Sequence, residues 1–305
     1  MVIVECYVMK RRITCCLVFC LFLVFTTTKA HNDSSSFELR NGFIIVTASL
    51  DGVTGSYILD SGAPGLVLNS SRFDLQGETV ELGGVGGEMS GQIVSGHDFI
   101  WESVVISSLE AISIDLTYLE SATGLPLAGL IGMDLFEGRD IMIDYARRQV
   151  FVSDQDCCGK ADLSNFVPLP LVKNDHVLIV KMSYRGTELL FGIDTGSRSN
   201  IISKSAADKV FPEDYRRLDA IKLIGADQRE TMTEEWLISA FRASDIDMDP
   251  IAFVIQDMDP IRKVQDISMD GILGHEFFQE SQIMISGDRK YIYVKSSSIP
   301  LYVQR

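Results

Sequence analysis

Two stretches of this chain, 134 residues apart, repeat one pattern. Residues 57–63 and residues 191–197 each contain an apolar run that ends in Asp, followed by a small hydroxyl residue and then Gly. The offset holds without a gap over residues 43–69, with six identities. A second block, residues 129–152, matches residues 271–294 with eight identities in 24 positions. Two collinear blocks indicate an internal duplication, which predicts two similar lobes that each present an Asp on a tight turn.

Strand signals dominate the rest of the chain. Residues 43–50 are β-branched and apolar, Asp51-Gly52 marks a hairpin turn, and residues 57–59 form the return strand that delivers Asp60. Residues 203–210 have helical composition, with Ser203 as the N-cap. Many short strands without a long helix predict an all-β fold of two β-barrel-like lobes related by pseudo-twofold symmetry. The predicted boundaries are a first lobe at 37–153, a linker at 154–165 and a second lobe at 166–299.

The N-terminal 30 residues have the organisation of a targeting segment. Lys10, Arg11 and Arg12 precede an apolar run over residues 13–25, and a small-residue cleavage site ends at Ala30. The run is short for a membrane span, so residues 1–30 are predicted to be a cleaved signal peptide, with an uncleaved anchor as the alternative. The expected location is extracytoplasmic, either periplasmic or secreted.

Charge and cysteine usage exclude several classes of protein. The net charge of −15 argues against nucleic-acid binding, which needs a basic surface. Four of the six cysteines lie in the leader, and the adjacent pair Cys157 and Cys158 would be free thiols or would form an intermolecular bridge, so a disulfide scaffold is excluded. The four histidines show no metal-ligand spacing, and the Asp-rich residues 245–249 lack the Gly and Glu of an EF-hand. We therefore expect neither a metal nor another cofactor.

A glycine-rich stretch lies between the two blocks of the first lobe. Its glycines fall within nine residues, and no Lys-Ser or Lys-Thr pair follows them, which makes a phosphate-binding loop a poor interpretation. The composition favours the mobile tip of a hairpin. The glycines are Gly83, Gly84, Gly86, Gly87 and Gly91.

The duplicated Asp residues suggest a specific chemistry. If the two lobes pack about a twofold axis, Asp60 and Asp194 share one site, and one proton is held between them because two close carboxylates cannot both ionise. One carboxyl is then an acid while the other is a base, which suits activation of a water molecule. An Asp in a single such turn is often only a capping residue, but two copies in register favour catalysis.

These residues resemble the aspartic protease superfamily. The resemblance is to the motif of two apolar residues, Asp, Ser or Thr, and Gly at residues 58–62 and 192–196, and to the later apolar-apolar-Gly segments at 130–132 and 272–274. The chain is similar to secreted or periplasmic bacterial members, with a retropepsin-like lobe duplicated in one polypeptide. The resemblance implies that Asp60 and Asp194 are the catalytic dyad.

The same resemblance implies roles for the residues around the dyad. The hydroxyls of Ser61 and Thr195 would interlock the two loops, which also contain Gly62, Gly196 and Ser197, and the apolar-apolar-Gly segments would pack behind them. A flap over residues 82–91 would close on the substrate. Its tip would comprise Gly83, Gly84, Val85, Gly86 and Gly87.

The two Asp loops differ at the residue after Gly. Ser197 occupies the position that Ala63 has in the first loop. If the Ser197 hydroxyl donates to the neighbouring carboxylate, Asp194 is the more easily ionised group and Asp60 keeps the shared proton. The alternative is that Ser197 bonds only to backbone within its turn. The glycine-rich stretch also has no Tyr, which puts pepsin-like clamping of a substrate in doubt.

The sequence therefore predicts a monomeric aspartic endopeptidase that acts on peptides or proteins outside the cytoplasm. The alternative is a catalytically silent pseudo-protease that binds a peptide or a cell-wall fragment in the same cleft. No nucleic-acid partner is expected, and no membrane association beyond a retained N-terminal anchor.

Overall fold

The computed structural model describes residues 2–3, 33–84, 87–153, 162–172, 177–210, 215–224, 230–244, 246–259 and 269–296. Within these ranges it is an all-β protein in which the helices are short. Most of the predicted signal peptide, most of the predicted linker and the pair Cys157 and Cys158 lie outside the described residues. We refer below to residues 33–153 as the first half and to residues 162–296 as the second half.

The strands before the predicted linker comprise β1, which lies within the predicted signal peptide, and the described strands of the first half. They are β1 Val2–Ile3, β2 Asp33–Ser36, β3 Glu38–Arg40, β4 Phe43–Leu50, β5 Val53–Leu59, β6 Leu66–Asn69, β7 Glu78–Gly84, β8 Gly87–Trp101, β9 Val104–Ile114, β10 Leu127–Ile131, β11 Asp140–Asp144 and β12 Gln149–Ser153.

The strands of the second half are shorter on average. They are β13 Val167–Val172, β14 Ile179–Tyr184, β15 Thr187–Ile193, β16 Ile201–Ser203, β17 Tyr215–Arg217, β18 Ile221–Ile224, β19 Glu230–Thr233, β20 Glu235–Ile238, β21 Phe241–Ala243, β22 Ile246–Asp247, β23 Ile251–Gln256, β24 Gly271–Leu273, β25 Ser281–Ile285 and β26 Tyr291–Ser296.

The strand that ends at each duplicated Asp, β5 or β15, pairs with an equivalent central strand in both halves. In the first half, β10 lies between β5, to which it is parallel, and β6, to which it is antiparallel. In the second half, β24 lies in the same way between β15 and β16. The apolar-apolar-Gly segment is therefore a buried central strand beside the Asp strand in both halves. Its continuous apolar sequence fits a position with strands on both sides.

The hairpins before the two Asp residues share one turn geometry. Asp51 and Gly52 join β4 to β5 with φ values of 49° and 80°, and Arg185 and Gly186 join β14 to β15 with φ values of 47° and 84°. Positive φ at both central residues is typical of a type I′ turn, whose twist matches that of the flanking strands. The predicted Asp51-Gly52 hairpin is confirmed.

The two halves meet in one continuous sheet. Strands β13, β26, β25, β11, β12 and β2 are adjacent in that order, so β11 of the first half pairs with β25 of the second. The register places Met142 opposite Met284, and these residues are equivalent in the sequence duplication. Antiparallel pairing of two equivalent strands about equivalent residues relates them by a local twofold rotation. The side chains of Ile141 and Ile283 in this sheet are fully buried.

The helices are short and lie at element junctions. They are α1 Thr117–Thr123, a 3₁₀ helix Met133–Phe136, α2 Lys204–Val210 and α3 His275–Phe278. The Ser203 hydroxyl accepts a hydrogen bond from the Ala206 amide at 3.1 Å, which confirms the predicted N-cap of α2. Within the described ranges, none of the helices has the length and apolar character needed to cross a bilayer.

The pairing of β11 with β25 is expected to contribute strongly to stability. Replacing the fully buried Ile141 by Ala should lower the free energy of unfolding by about 2–5 kcal/mol, because apolar contacts are lost and a cavity remains. The matched control is Ile100→Ala, whose side chain is 44% exposed. Denaturant unfolding followed by circular dichroism measures both variants. Equal effects of the two substitutions would contradict this role for the β11–β25 pairing.

Candidate active site

Asp60 and Asp194 lie at the ends of their strands and are held in place by the neighbouring central strand. The Asp60 amide donates to the Ile131 carbonyl at 2.9 Å, and the Asp194 amide donates to the Leu273 carbonyl at 3.0 Å. Both side chains are buried, at 4% and 1% exposure. A buried carboxyl needs polar partners, so their surroundings decide what they do.

The loops after the two Asp residues exchange hydrogen bonds reciprocally. The Ser61 amide donates to the Thr195 hydroxyl, and the Thr195 amide donates to the Ser61 hydroxyl, both at 2.9 Å. The Ser61 hydroxyl donates to the Ile193 carbonyl at 2.9 Å, and the Thr195 hydroxyl donates to the Leu59 carbonyl at 2.8 Å. Each hydroxyl therefore accepts one bond and donates another across the boundary between the halves, as the sequence suggested.

This exchange places the Asp60 carboxyl against the loop that carries Asp194. The Gly62 amide donates to Oδ1 of Asp60 at 2.8 Å, and the Gly196 amide donates to Oδ1 of Asp194 at 2.9 Å. A Cβ atom on Gly196 would lie 2.2 Å from Cγ of Asp60, which is closer than real Cβ contacts. Glycine is required at residue 196 because the carboxyl of the other half packs there.

The proximity of the two carboxyls changes the titration of Asp194. Complete burial, the negative charge of Asp60 and a hydrogen bond between the two side chains raise the pKa of Asp194 to about 7. Oδ2 of Asp194 is buried and receives no hydrogen bond from a neighbouring donor. A protonated Asp194 accounts for both observations, because a neutral carboxyl in a buried position needs fewer hydrogen-bond donors than a carboxylate.

The predicted hydrogen bond from Ser197 to the neighbouring carboxylate was wrong. The Ser197 hydroxyl donates to the Ser199 carbonyl at 2.9 Å, so it bonds to backbone within its turn rather than to Asp194. Without that donor, burial and the negative charge of Asp60 raise the pKa of Asp194 instead of lowering it. The alternative interpretation of Ser197 is the one that the structure supports.

Two further carboxylates brace the loops and were not singled out from the sequence. Both carboxylate oxygens of Asp134 accept from the Gly65 amide, at 2.7 and 2.8 Å. At the duplicated position, Glu276 accepts from the Ser199 hydroxyl at 3.2 Å. Burial, with the charge of Glu235 adding to it, raises the pKa of Glu276. The sequence contained a signal for these two carboxylates, because an acidic residue follows the apolar-apolar-Gly segment by two positions in both blocks.

A buried aromatic pair lies beneath the second Asp loop. The ring centroids of Tyr145 and His275 are 5.6 Å apart, and both side chains are buried. Burial and the charge of Asp194 raise the pKa of Tyr145, and burial and the charge of Arg198 lower the pKa of His275. Both side chains are therefore neutral near pH 7. His275 occupies the position that Met133 has in the first half, so the duplication did not predict a buried histidine there.

The glycine-rich stretch forms the hairpin that was predicted. Strands β7 and β8 pair up to Gly84 opposite Gly87, with Gly83 opposite Glu88. Val85 and Gly86, the predicted centre of the tip, lie outside the described residues. The outer edge of β7 pairs with β1, so this edge accepts an extended segment by antiparallel backbone hydrogen bonding. Its role as a flap stays a prediction.

Part of the second half matches the model of a known protein family. Residues 180–277 match the family model described as aspartyl protease. This match includes Asp194, Thr195 and Gly196 together with the central strand β24. No curated protein matches the chain. Within the described ranges, no cluster of three or more His, Cys, Asp or Glu side chains has the arrangement of a metal site.

The exchange between Ser61 and Thr195 should be a major determinant of stability. In a Thr195→Val variant the buried Ser61 amide loses its acceptor and the Leu59 carbonyl loses a donor. Because each unsatisfied buried group costs about 1–3 kcal/mol, the free energy of unfolding should fall by at least that amount. Thr195→Ser keeps the hydroxyl and is the matched control. Denaturant unfolding in which the Val variant is as stable as the Ser variant would contradict the importance of these bonds.

The raised pKa of Asp194 predicts how stability depends on pH. Between about pH 4 and pH 7, the unfolded chain ionises at this position while the folded chain keeps its proton. The unfolded state then binds fewer protons, so the contribution of Asp194 to stability falls as pH rises through this window. In Asp194→Asn, this loss is absent.

The melting temperature of Asp194→Asn minus that of the wild type should therefore increase from about pH 4 to pH 7 and then level off. Titrating groups that do not interact with Asp194 cancel in this difference. Asp219→Asn, at an exposed Asp, is the control and should give a flat difference. A flat difference for Asp194→Asn as well would show that its carboxyl titrates normally.

Proposed function

We propose that the protein is an aspartic endopeptidase that hydrolyses peptide bonds with a water molecule activated between Asp60 and Asp194. The observation that carries this proposal is the reciprocal bonding of Ser61 and Thr195, which holds two buried carboxyls against one another. The aspartyl protease match over residues 180–277 supports the same assignment. An Asp that only caps a turn does not require a second carboxyl beside it.

The proposed mechanism uses the proton that the pair retains. Asp60, ionised, takes a proton from the water as its oxygen attacks the carbonyl carbon, while Asp194 donates its proton to the carbonyl oxygen. The tetrahedral intermediate then collapses: its hydroxyl proton returns to Asp194, the C–N bond breaks, and the leaving nitrogen takes the proton held by Asp60. The pair regains its starting state, and no covalent intermediate forms.

The proposed substrate is an extended peptide or protein segment between two lobes related by pseudo-twofold symmetry. The pairing of β1 on the edge of β7 supports this, because the same edge offers backbone hydrogen bonds to an extended chain. We further propose that one polypeptide supplies the whole site as a monomer. Its sequence leader supports action outside the cytoplasm.

A mixed peptide library tests the activity directly. The purified protein is incubated with the library at several pH values, with and without a statine-type inhibitor, and new peptide termini are identified by mass spectrometry. Cleavage that the inhibitor blocks supports the proposal. Binding of peptides without cleavage at any pH would instead favour the silent binding module.

The dyad itself is tested by single substitutions. Asp60→Asn and Asp194→Asn should each lower kcat/KM by at least the roughly 10²–10⁴-fold that general acid–base catalysis contributes, because either change removes one member of the proton-sharing pair. Asp219→Asn is the control and should retain wild-type turnover. If either dyad variant kept most of the peptidase activity while folded, the dyad assignment would be wrong.

A further inference from the structure

The second half contains a cavity of about 570 Å³ that is separate from the candidate active site. Helix α3, the first residue of β25 and the strands β20 and β23 all contribute to its walls. Neither Asp60 nor Asp194 lines it. Its volume falls within the roughly 300–1,000 Å³ that is usual for small-molecule sites. The cavity is therefore large enough for a ligand of its own.

The charged side chains that line this cavity are acidic, as far as the described residues go. Glu235 and Glu276 are partly buried, and Asp249 is exposed at the rim. Burial raises the pKa of Glu276, and the negative charge of Glu235 adds to this effect. The charge of Arg198 opposes it, but Arg198 does not line the cavity. The walls thus place negative charges near one another without a cation between them.

A buried hydroxyl group also lines the cavity. The side chain of Ser281, at the start of β25, is 1% exposed, and its Oγ has no hydrogen-bond partner among the described residues. Buried polar groups in proteins are almost always hydrogen-bonded, because leaving one unpaired is unfavourable. A ligand that brings a hydrogen-bond donor into the cavity would satisfy this oxygen. This observation is independent of the carboxylates and indicates a donor of the same kind.

The remaining walls are largely apolar. They include Leu237, Met248, Ile251 and Phe277. A hard metal ion prefers oxygen ligands and gains nothing from such walls, whereas a hydrocarbon stem is stabilised by contact with them. An aromatic ring such as that of Phe277 also attracts a cation that lies over its face. The combination favours an organic cation over a metal ion.

The sequence duplication offers an internal comparison. Ser281 occupies the position that Arg139 has in the first half, and Glu276 occupies the position of Asp134. The charge of Asp134 also acts on the largely buried guanidinium of Arg289. The first half therefore carries arginines of its own chain near its acidic residue, one of them at a position where the second half has a short neutral side chain. A cation from outside the chain would restore that balance in the second half.

We propose that this cavity binds an organic cation, namely a primary ammonium group on a short hydrocarbon stem. The ammonium has three donors, which match the carboxylates of Glu235 and Glu276 and the hydroxyl of Ser281. The stem lies against the apolar walls. The cation is either a free amine or the side chain of a lysine in another protein. This inference goes beyond the proposed function and does not rest on it.

Binding of matched probes to the full chain tests the proposal by calorimetry and by thermal unfolding. The probes are pentylamine, pentanol and pentanoate, together with Nα-acetyl-lysine methylamide and its Nε-acetylated form. Pentylamine should bind at one site, raise the melting temperature and bind at least roughly tenfold more tightly than pentanol, as expected for hydrogen bonds to charged groups. Tighter binding of the lysine derivative than of pentylamine would identify a protein side chain as the source, and the reverse would identify a free amine.

Two substitutions in the cavity test the assigned contacts. Glu235→Gln and Ser281→Ala should each weaken the binding of pentylamine by roughly tenfold or more. Without ligand, Ser281→Ala should be at least as stable as the wild type, because it removes a buried hydroxyl that has no partner. Glu102→Gln is the control, since this exposed residue lies in the turn between β8 and β9, and it should change neither property.

Three results would overturn the proposal. The first is equal binding of pentylamine, pentanol and pentanoate, which would make the cavity merely apolar, or no saturable binding of any probe. The second is an unchanged affinity for pentylamine in both cavity variants. The third is displacement of pentylamine by MgCl₂ or CaCl₂ but not by NaCl of the same ionic strength, which would assign the carboxylates to a metal ion.

Discussion

Four hydrogen bonds between the Ser61 and Thr195 loops determine the geometry of the site. The two hydroxyls are buried, and each acts as donor and acceptor toward the opposite half, so neither loop has its polar groups satisfied without the other. The positions of the Asp60 and Asp194 carboxyls follow from this arrangement. The two carboxyls lie close together because the loops that carry them are hydrogen-bonded to each other.

Holding two carboxyls this close in a buried site is unfavourable when both are charged. The continuous sheet through β11 and β25 and the bracing carboxylates of Asp134 and Glu276 offset that cost by fixing the loops from behind. The raised pKa of Asp194 is the electrostatic consequence. Stability and chemistry are thus coupled, since the rigid surroundings that hold the pair also keep one proton on it.

The duplication in the sequence predicted most of the backbone arrangement. The Asp turns and the hairpins before them follow from patterns that occur in register, and the Asp51-Gly52 turn and the Ser203 cap follow from local sequence alone. The direction of the Ser197 hydroxyl did not follow, because a backbone carbonyl two residues ahead competes with the carboxylate for the same donor. The packing of Tyr145 against His275 was also inaccessible, since it depends on a contact across the boundary between the halves.

Pro64 of the first Asp loop and Arg198 of the second occupy equivalent positions in the duplication, and this difference bears on the polarity of a polypeptide bound as proposed. A site built from two equivalent loops presents nearly the same hydrogen-bonding groups to an extended chain whether that chain runs from N to C or from C to N across it. A charge on one loop and a rigid ring on the other remove this equivalence. Under the proposed function, a polypeptide bound in one direction would therefore meet different groups from one bound in the other, so one duplicated scaffold acquires a defined left and right.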